Sequence, residues 1–396
     1  MAAAQIWALR VLGPEAIGIS SSYIAKAAIC ASLVMLGLNP AFIRTFVRDE
    51  SGDSRWQLIL SVASMRGLAA ILVFFFWLVF ELSVNKQGHG LSMFGGVIIF
   101  ASSANSVSWV LLADRKQNRV VIATLVKSLA TLIGFFLVLE KGSLVGTDCL
   151  VLGLASLTAF TYEVYYVLRG RVGNSRLRCR VDMKRAARLA TSSKFLVATA
   201  VVTSLYSQID LLLVRYCIGV SEAGVYKAAL TVAAAINALI VVLHSMEYPR
   251  FVESLNRDRH VGRKLIQTTV KRYALAGAGG CVLLIPLAWS GMQIVLGSEY
   301  TGVVLLASIL IIAKYMYLVG GLYVYALRAI DKDKQVFWVA CLGLCLSTSV
   351  FLASFRYWGS NAAGASYLFA EIGVLCSAWI LWKLDAGSWE KTSANN

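Results

Sequence analysis

Eleven stretches of about twenty apolar residues follow one another along this chain, and no other feature restricts its fold as much. They run Ile17–Leu38, Ile59–Leu82, Leu91–Leu112, Val120–Leu139, Gly146–Leu168, Phe195–Ile218, Gly224–Met246, Tyr273–Leu296, Gly302–Leu327, Val336–Ser354 and Ala362–Leu384. At a rise of about 1.5 Å per residue, each is long enough to cross a hydrocarbon layer about 30 Å thick. The composition agrees: 58% of the residues are hydrophobic and only 15% are charged, too little polar surface for a soluble chain of 396 residues. Only four prolines interrupt it, which suits helices. The expected fold class is therefore an all-α polytopic membrane protein.

The net charge of +16 would suggest nucleic acid in a soluble protein, but its location gives a different meaning. One alternating set of loops holds Arg44, Arg48 and Arg55, then Arg115, Lys116 and Arg119. That set continues with the runs Arg169–Lys194 and Arg250–Arg272, and with Arg328, Lys332 and Lys334. The opposite set holds only Lys86, Lys141 and Arg356. Basic loops stay in the cytoplasm, so this set and the C-terminus are placed there and no nucleic-acid partner is expected. The eight cysteines are scattered without a CxxC pair, and the three histidines lie far apart. Neither pattern points to a metal site, a cofactor or a catalytic group.

The run Arg169–Lys194 also divides the chain. Residues 1–168 form an expected N-terminal transmembrane lobe, 169–194 a basic cytoplasmic linker, and 195–396 a C-terminal lobe with a short tail. Met1–Leu12 is apolar but too short to cross, so it counts as the stub of a first helix and brings the total to about twelve, in two six-helix lobes. Leu12-Gly13-Pro14-Glu15-Ala16-Ile17-Gly18-Ile19 is echoed by Ile218-Gly219-Val220-Ser221-Glu222-Ala223-Gly224-Val225. In both, two glycines five apart flank an acid at the start of the second helix of a half, which predicts a parallel repeat around a central cavity. Phe195–Gly219 is a full span where Met1–Gly13 is half of one. The echo thus predicts an incomplete first helix, through either a misassigned start or a truncation.

Charges at membrane depth are costly and face a cavity or a partner. The cations are Lys26, Arg66, Lys127, Arg215, Lys227 and Lys314, and the acids are Glu163, Asp210 and Glu371. Six cations against three acids suit an anionic cargo such as a phosphate, so the six are the candidate substrate-binding residues. Asp210, Glu371 and Glu163 are the candidate ion-coupling residues, because a carboxylate's charge changes with the side it faces. Arg66 and Lys227 lie near span ends, where snorkelling competes with a cavity role. Glu163 has the basic loop beside it as an alternative partner. Trp358, Trp382 and Trp389 sit where interfacial belts form. For Tyr226, Tyr315, Tyr317, Tyr323 and Tyr325, packing is favoured over stacking on sugar rings.

The stretch Tyr206-Ser207-Gln208-Ile209-Asp210-Leu211-Leu212-Leu213-Val214, with Gly219, Glu222-Ala223-Gly224-Val225-Tyr226 and Ala228-Ala229, resembles the bacterial oligosaccharide flippases. These are the O-antigen and polysaccharide export members of the multidrug/oligosaccharidyl-lipid/polysaccharide superfamily. Leu12-Gly13-Pro14-Glu15, Gly18, Leu36-Gly37-Leu38 and Arg44 resemble that family's N-terminal signature. Pro249 after the eighth helix and Gly297-Ser298-Glu299-Tyr300 also fit. The resemblance implies two six-helix lobes around a cationic cavity in the bacterial inner membrane, working by alternating access. It implies an undecaprenyl-pyrophosphate-linked glycan as cargo, moved from the cytoplasmic to the periplasmic leaflet. Membrane lipids, a polysaccharide polymerase and a chain-length regulator are the further partners expected. Of the charged residues, only Asp210 follows from the motif. A drug or organic-cation antiporter of the same superfamily is the alternative, but it would favour an acidic cavity. A membrane-embedded polymerase or ligase would carry a long outer loop, which this chain lacks.

Overall fold

The computed structural model describes the chain except residues 1, 36–41, 43–51, 85–89, 115, 139–143, 170–181, 183, 185–186, 189–190, 192–193, 297–301 and 394–396. Arg44, Arg48, Lys86, Lys141, Leu36-Gly37-Leu38, Gly297-Ser298-Glu299-Tyr300 and most of the 169–194 linker therefore lie outside the described residues, as does the side chain of Trp389.

Twelve helices account for nearly all described residues: α1 (Ala2–Met35), α2 (Gly52–Val84), α3 (Gly90–Ala104), α4 (Ser108–Ala113), α5 (Gln117–Val138), α6 (Thr147–Arg169), α7 (Lys194–Cys217), α8 (Val220–Arg257), α9 (Arg259–Leu296), α10 (Val303–Ala329), α11 (Asp333–Trp358) and α12 (Asn361–Ser393). Eleven segments among them are long and apolar enough to cross a membrane, one for each span read from the sequence. Large apolar side chains stay exposed along α2 (Ile71, Phe75, Phe76), α5 (Leu125, Phe136) and α9 (Leu275, Val282, Leu283). An apolar surface of that extent needs lipid as its solvent. The protein is a multi-pass membrane protein.

The chain forms two compact units. The first holds Ile19–Gln208. Within it α6 packs on α3 and α5, and α2 packs on α3. Its core gathers Leu58, Ile59 and Val62 of α2, Trp109, Val110 and Leu111 of α4, and Val167 of α6. The second unit holds Ile209–Asn396 together with Ala4–Gly18. There α10 is central and packs against α8, α9, α11 and α12. Small residues allow the close approaches: a Cβ on Gly320 would meet Leu375, and one on Gly364 would meet Leu306.

Three expectations are corrected. The basic run Arg250–Arg272 is not a loop: α8 continues to Arg257 and α9 starts at Arg259. Phe251, Leu255, Ile266 and Val270 recur at helical spacing and are buried in the core of the second unit, so the charges ride on the outer faces. Asp258 makes the turn, its carboxylate accepting from the amide of His260 at 2.7 Å. Pro249 accordingly lies inside α8 rather than after it. Trp382 is not an interfacial anchor, because its face of α12 turns inward and the ring is 2% exposed. Trp358 is exposed, as an anchor would be.

The echoed segments meet each other. α1 is two helices joined at Gly13, whose φ of 76° breaks the run just before Pro14 opens the second part. Gly219 takes the matching place before α8, with φ 153°. A Cβ on Gly18 would lie 1.9 Å from the carbonyl oxygen of Val220, and one on Gly224 would lie 1.8 Å from that of Pro14. Each glycine therefore abuts the first turn of the other's helix.

Candidate functional site

In the second unit, five helices bring polar side chains together. Asp210 of α7 accepts from Ser347 Oγ of α11 at 2.7 Å and from the Tyr226 hydroxyl of α8 at 3.5 Å. Lys314 of α10 donates to the Tyr367 hydroxyl of α12 at 2.7 Å. Its ammonium also lies 4.7 Å from the Tyr367 ring and 5.4 Å from that of Tyr317. Glu371, one turn beyond Tyr367, bonds that same hydroxyl. Asp210 and Glu371 both lie close enough to Lys314 to act on its charge. Asp210, Glu371, Tyr226 and Ser347 are all buried. The sequence marked Asp210, Lys314 and Glu371 separately, up to 161 positions apart; the fold makes them one group of two carboxylates and one ammonium. Arg215 lies buried in the last turn of α7, its guanidinium 5.6 Å from the Tyr216 ring, and Lys227 is half-buried near the start of α8.

The first unit holds two further groups. Lys26 of α1 forms an ion pair with Glu81 of α2, and both are buried. Trp77 Nε1 donates to the same carboxylate at 3.1 Å, and the ammonium lies 4.9 Å from the Tyr23 ring. Glu81 was not singled out in the sequence, because it sits four residues from the end of α2, where a carboxylate reads as interfacial. The signal available was that Lys26, in mid-span, needed an acid somewhere. Asp148, also unremarked, accepts from Ser20 Oγ at 2.6 Å in the first turn of α6.

The second group surrounds a break in a spanning segment. Helix α3 ends at Ala104 and α4 starts at Ser108, so backbone groups are freed at membrane depth. Charged side chains satisfy them. Arg66 donates to the Ser106 carbonyl at 3.2 Å. Glu163 accepts from the Val107 amide at 3.2 Å and from Ser106 Oγ at 2.8 Å. A carboxylate at the start of α4 and a guanidinium on the freed carbonyl match the polarity of the two ends. The partner the structure gives Glu163 is thus the broken helix.

The fold of the described helices is one that solved membrane proteins share. A multidrug resistance MATE family transporter of the MOP superfamily, in an inward-facing conformation, superposes with a TM-score of 0.77 at 11% identity over 99% of this chain and 95% of that one. The lipid II flippase MurJ, in an inward closed conformation, gives 0.71 at 15% identity over 96% and 87%. A MOP superfamily transporter from Pyrococcus furiosus, described as having a binding pocket of reverse polarity, gives 0.66 at 13% over 98% and 92%. At such identities the likeness shows the fold alone, and that fold is MATE-like. Residues 6–255 match the family described as polysaccharide biosynthesis protein, and the chain belongs to that family. No curated protein matches it in sequence.

Proposed function

We propose that this protein is a flippase for lipid-linked oligosaccharide. It moves an undecaprenyl-pyrophosphate-linked unit, O-antigen or another polysaccharide repeat, from the cytoplasmic to the periplasmic leaflet of a bacterial inner membrane. It works by alternating access and catalyses no chemical step. The observation that carries this reading is the family match over residues 6–255. The fold supports it, since a lipid flippase is among the proteins that share it. The basic helix ends support a cytoplasmic C-terminus: Arg119, Arg169, Arg257, Arg259, Arg328 and Lys332 all fall on one alternating side. Deleting the gene is expected to leave a lipid-linked saccharide in the inner leaflet and to remove the matching surface glycan. Mass spectrometry of the lipid extract checks this, and normal glycan display with no accumulated lipid would refute it.

Coupling to an ion gradient is assigned to the Asp210 group. Protonation of Asp210, or its capture of a cation, would remove the charge that Ser347 and Tyr226 bond and would leave Lys314 facing Glu371 alone. A rearrangement of α7, α10 and α12 follows from that change of balance. Asp210→Asn keeps the shape but cannot titrate. In proteoliposomes it is expected to lose at least tenfold of the stimulation by a proton or sodium gradient, while flipping without a gradient persists. Stimulation equal to that of the unaltered protein would reject the assignment.

A further inference from the structure

Beside the α3–α4 break, the first unit contains a cavity of about 140 Å³. At about 30 Å³ per water in the liquid, it has room for roughly five waters, the scale of one six-membered ring. Its walls come from α3, α5 and α6 and from the break itself, and they include Ser102, Ser106, Thr124, Lys127, Ser156 and Glu163. Phe160 and Ala159 form an apolar side. Lys127 stands about 15 Å from the start of α5, and Glu163 about 9 Å from the end of α6, by helical rise. Both ends are basic, carrying Arg119 and Arg169, so the cavity lies in the half of the membrane next to that side.

The chemistry of the lining selects a ligand class. The Lys127 ammonium makes no hydrogen bond or ion pair among the described residues. An ammonium left so at membrane depth calls for an oxygen. Phosphate is a poor candidate for that oxygen. Glu163 is close enough to act on Lys127 and would repel a multivalent anion. The hydrogens of four lining hydroxyls are also committed: Ser102 donates to Ile98 at 2.8 Å, Ser156 to Leu152 at 2.8 Å, Thr124 to Val120 at 3.0 Å and Ser106 to Glu163 at 2.8 Å. What remains towards the cavity is a set of oxygen lone pairs, the Ser103 hydroxyl and one ammonium. A hydroxylated ring answers all of them, because each sugar hydroxyl donates and accepts.

We propose that this cavity is a carbohydrate subsite, in which Lys127 donates to a hydroxyl oxygen of one sugar of the cargo and the serine and threonine oxygens accept from its hydroxyls. This rests on the glycan cargo proposed above and assigns Lys127 to the sugar rather than to the pyrophosphate. The probe is the oligosaccharide released by mild acid from the lipid that accumulates in the deletion strain. Its binding to the full chain in nanodiscs can be measured calorimetrically, with pyrophosphate as the competing anion. The free glycan is expected to bind without competition from pyrophosphate. Ser102→Ala with Ser156→Ala, which removes acceptors, and Ala159→Leu, which fills the space, should each weaken it at least tenfold. Thermal unfolding within a few degrees of the parent protein shows that a variant is folded. If a lipid-linked glycan accumulates but both folded variants bind it as the parent does, or pyrophosphate displaces it, the subsite is wrong and the flippase reading stands. If no such lipid accumulates, both fall.

Discussion

Alanine at Gly18 or at Gly224 is expected to destabilise the protein strongly and to abolish the glycan export proposed for it. A single methyl group at either position would stand within 2 Å of a backbone carbonyl oxygen, that of Val220 or that of Pro14. Backbone cannot rotate aside as a side chain can, so the helices must separate along the whole contact. Overpacking against movable side chains costs about 1–3 kcal/mol, and a clash with fixed carbonyls should reach the top of that range or pass it. Helices in lipid have little besides close packing to hold them together, and loss of the contact is correspondingly damaging. Gly280 is the internal control. Nothing lies within 4 Å of a Cβ there, so Gly280→Ala should leave stability and export unchanged. The two contacts join the same pair of helix starts, so the double variant should cost less than the sum of the singles. Thermal unfolding of the purified proteins and surface glycan display check all four variants. Full stability in the Gly224→Ala protein would show that the approach is looser than described.

The same glycines show how far the sequence is readable. Their echo, its spacing and its place at the start of a helix are all visible in the letters, whereas the fact that the two copies touch is not. Spans are legible because a bilayer imposes one length and one composition on all of them. The helices over Arg250–Arg272 are hidden in the sequence by charges that surround only four large apolar buried residues, Phe251, Leu255, Ile266 and Val270. Asp210, Lys314 and Glu371 stand out singly, since each is a charge at membrane depth. Their partner Ser347 does not, because serine hydroxyls in spanning helices commonly bond their own backbone, as Ser102 and Ser156 do; Tyr226 and Tyr367 belong to a residue type that spanning helices commonly use for packing, so their polar partners are not legible either. The role of Arg66 and Glu163 at the α3–α4 break was hidden for a related reason. Leu91–Leu112 is continuously apolar enough to read as one helix, and only the fold shows where its backbone needs partners.

Glu81→Gln is expected to be far more damaging than the loss of an exposed ion pair. Its carboxylate is the buried counter-charge of Lys26, and it also takes the Trp77 indole hydrogen at 3.1 Å. Removing one member of a buried pair strands the other charge and typically costs about 3–5 kcal/mol. Replacing both members can be nearly neutral, because neither charge then has to be held out of water. Lys26→Met with Glu81→Gln should therefore regain most of the stability lost by Glu81→Gln alone. This comparison also separates two roles for Lys26. If it serves only the pair, the double variant should export glycan as the parent protein does. If it also reaches the cargo, stability returns while export stays low, because methionine cannot donate to phosphate or sugar oxygen. Thermal unfolding and export measured on the same three proteins decide between these outcomes. A double variant no more stable than Glu81→Gln would show that the pair is not what holds α1 against α2.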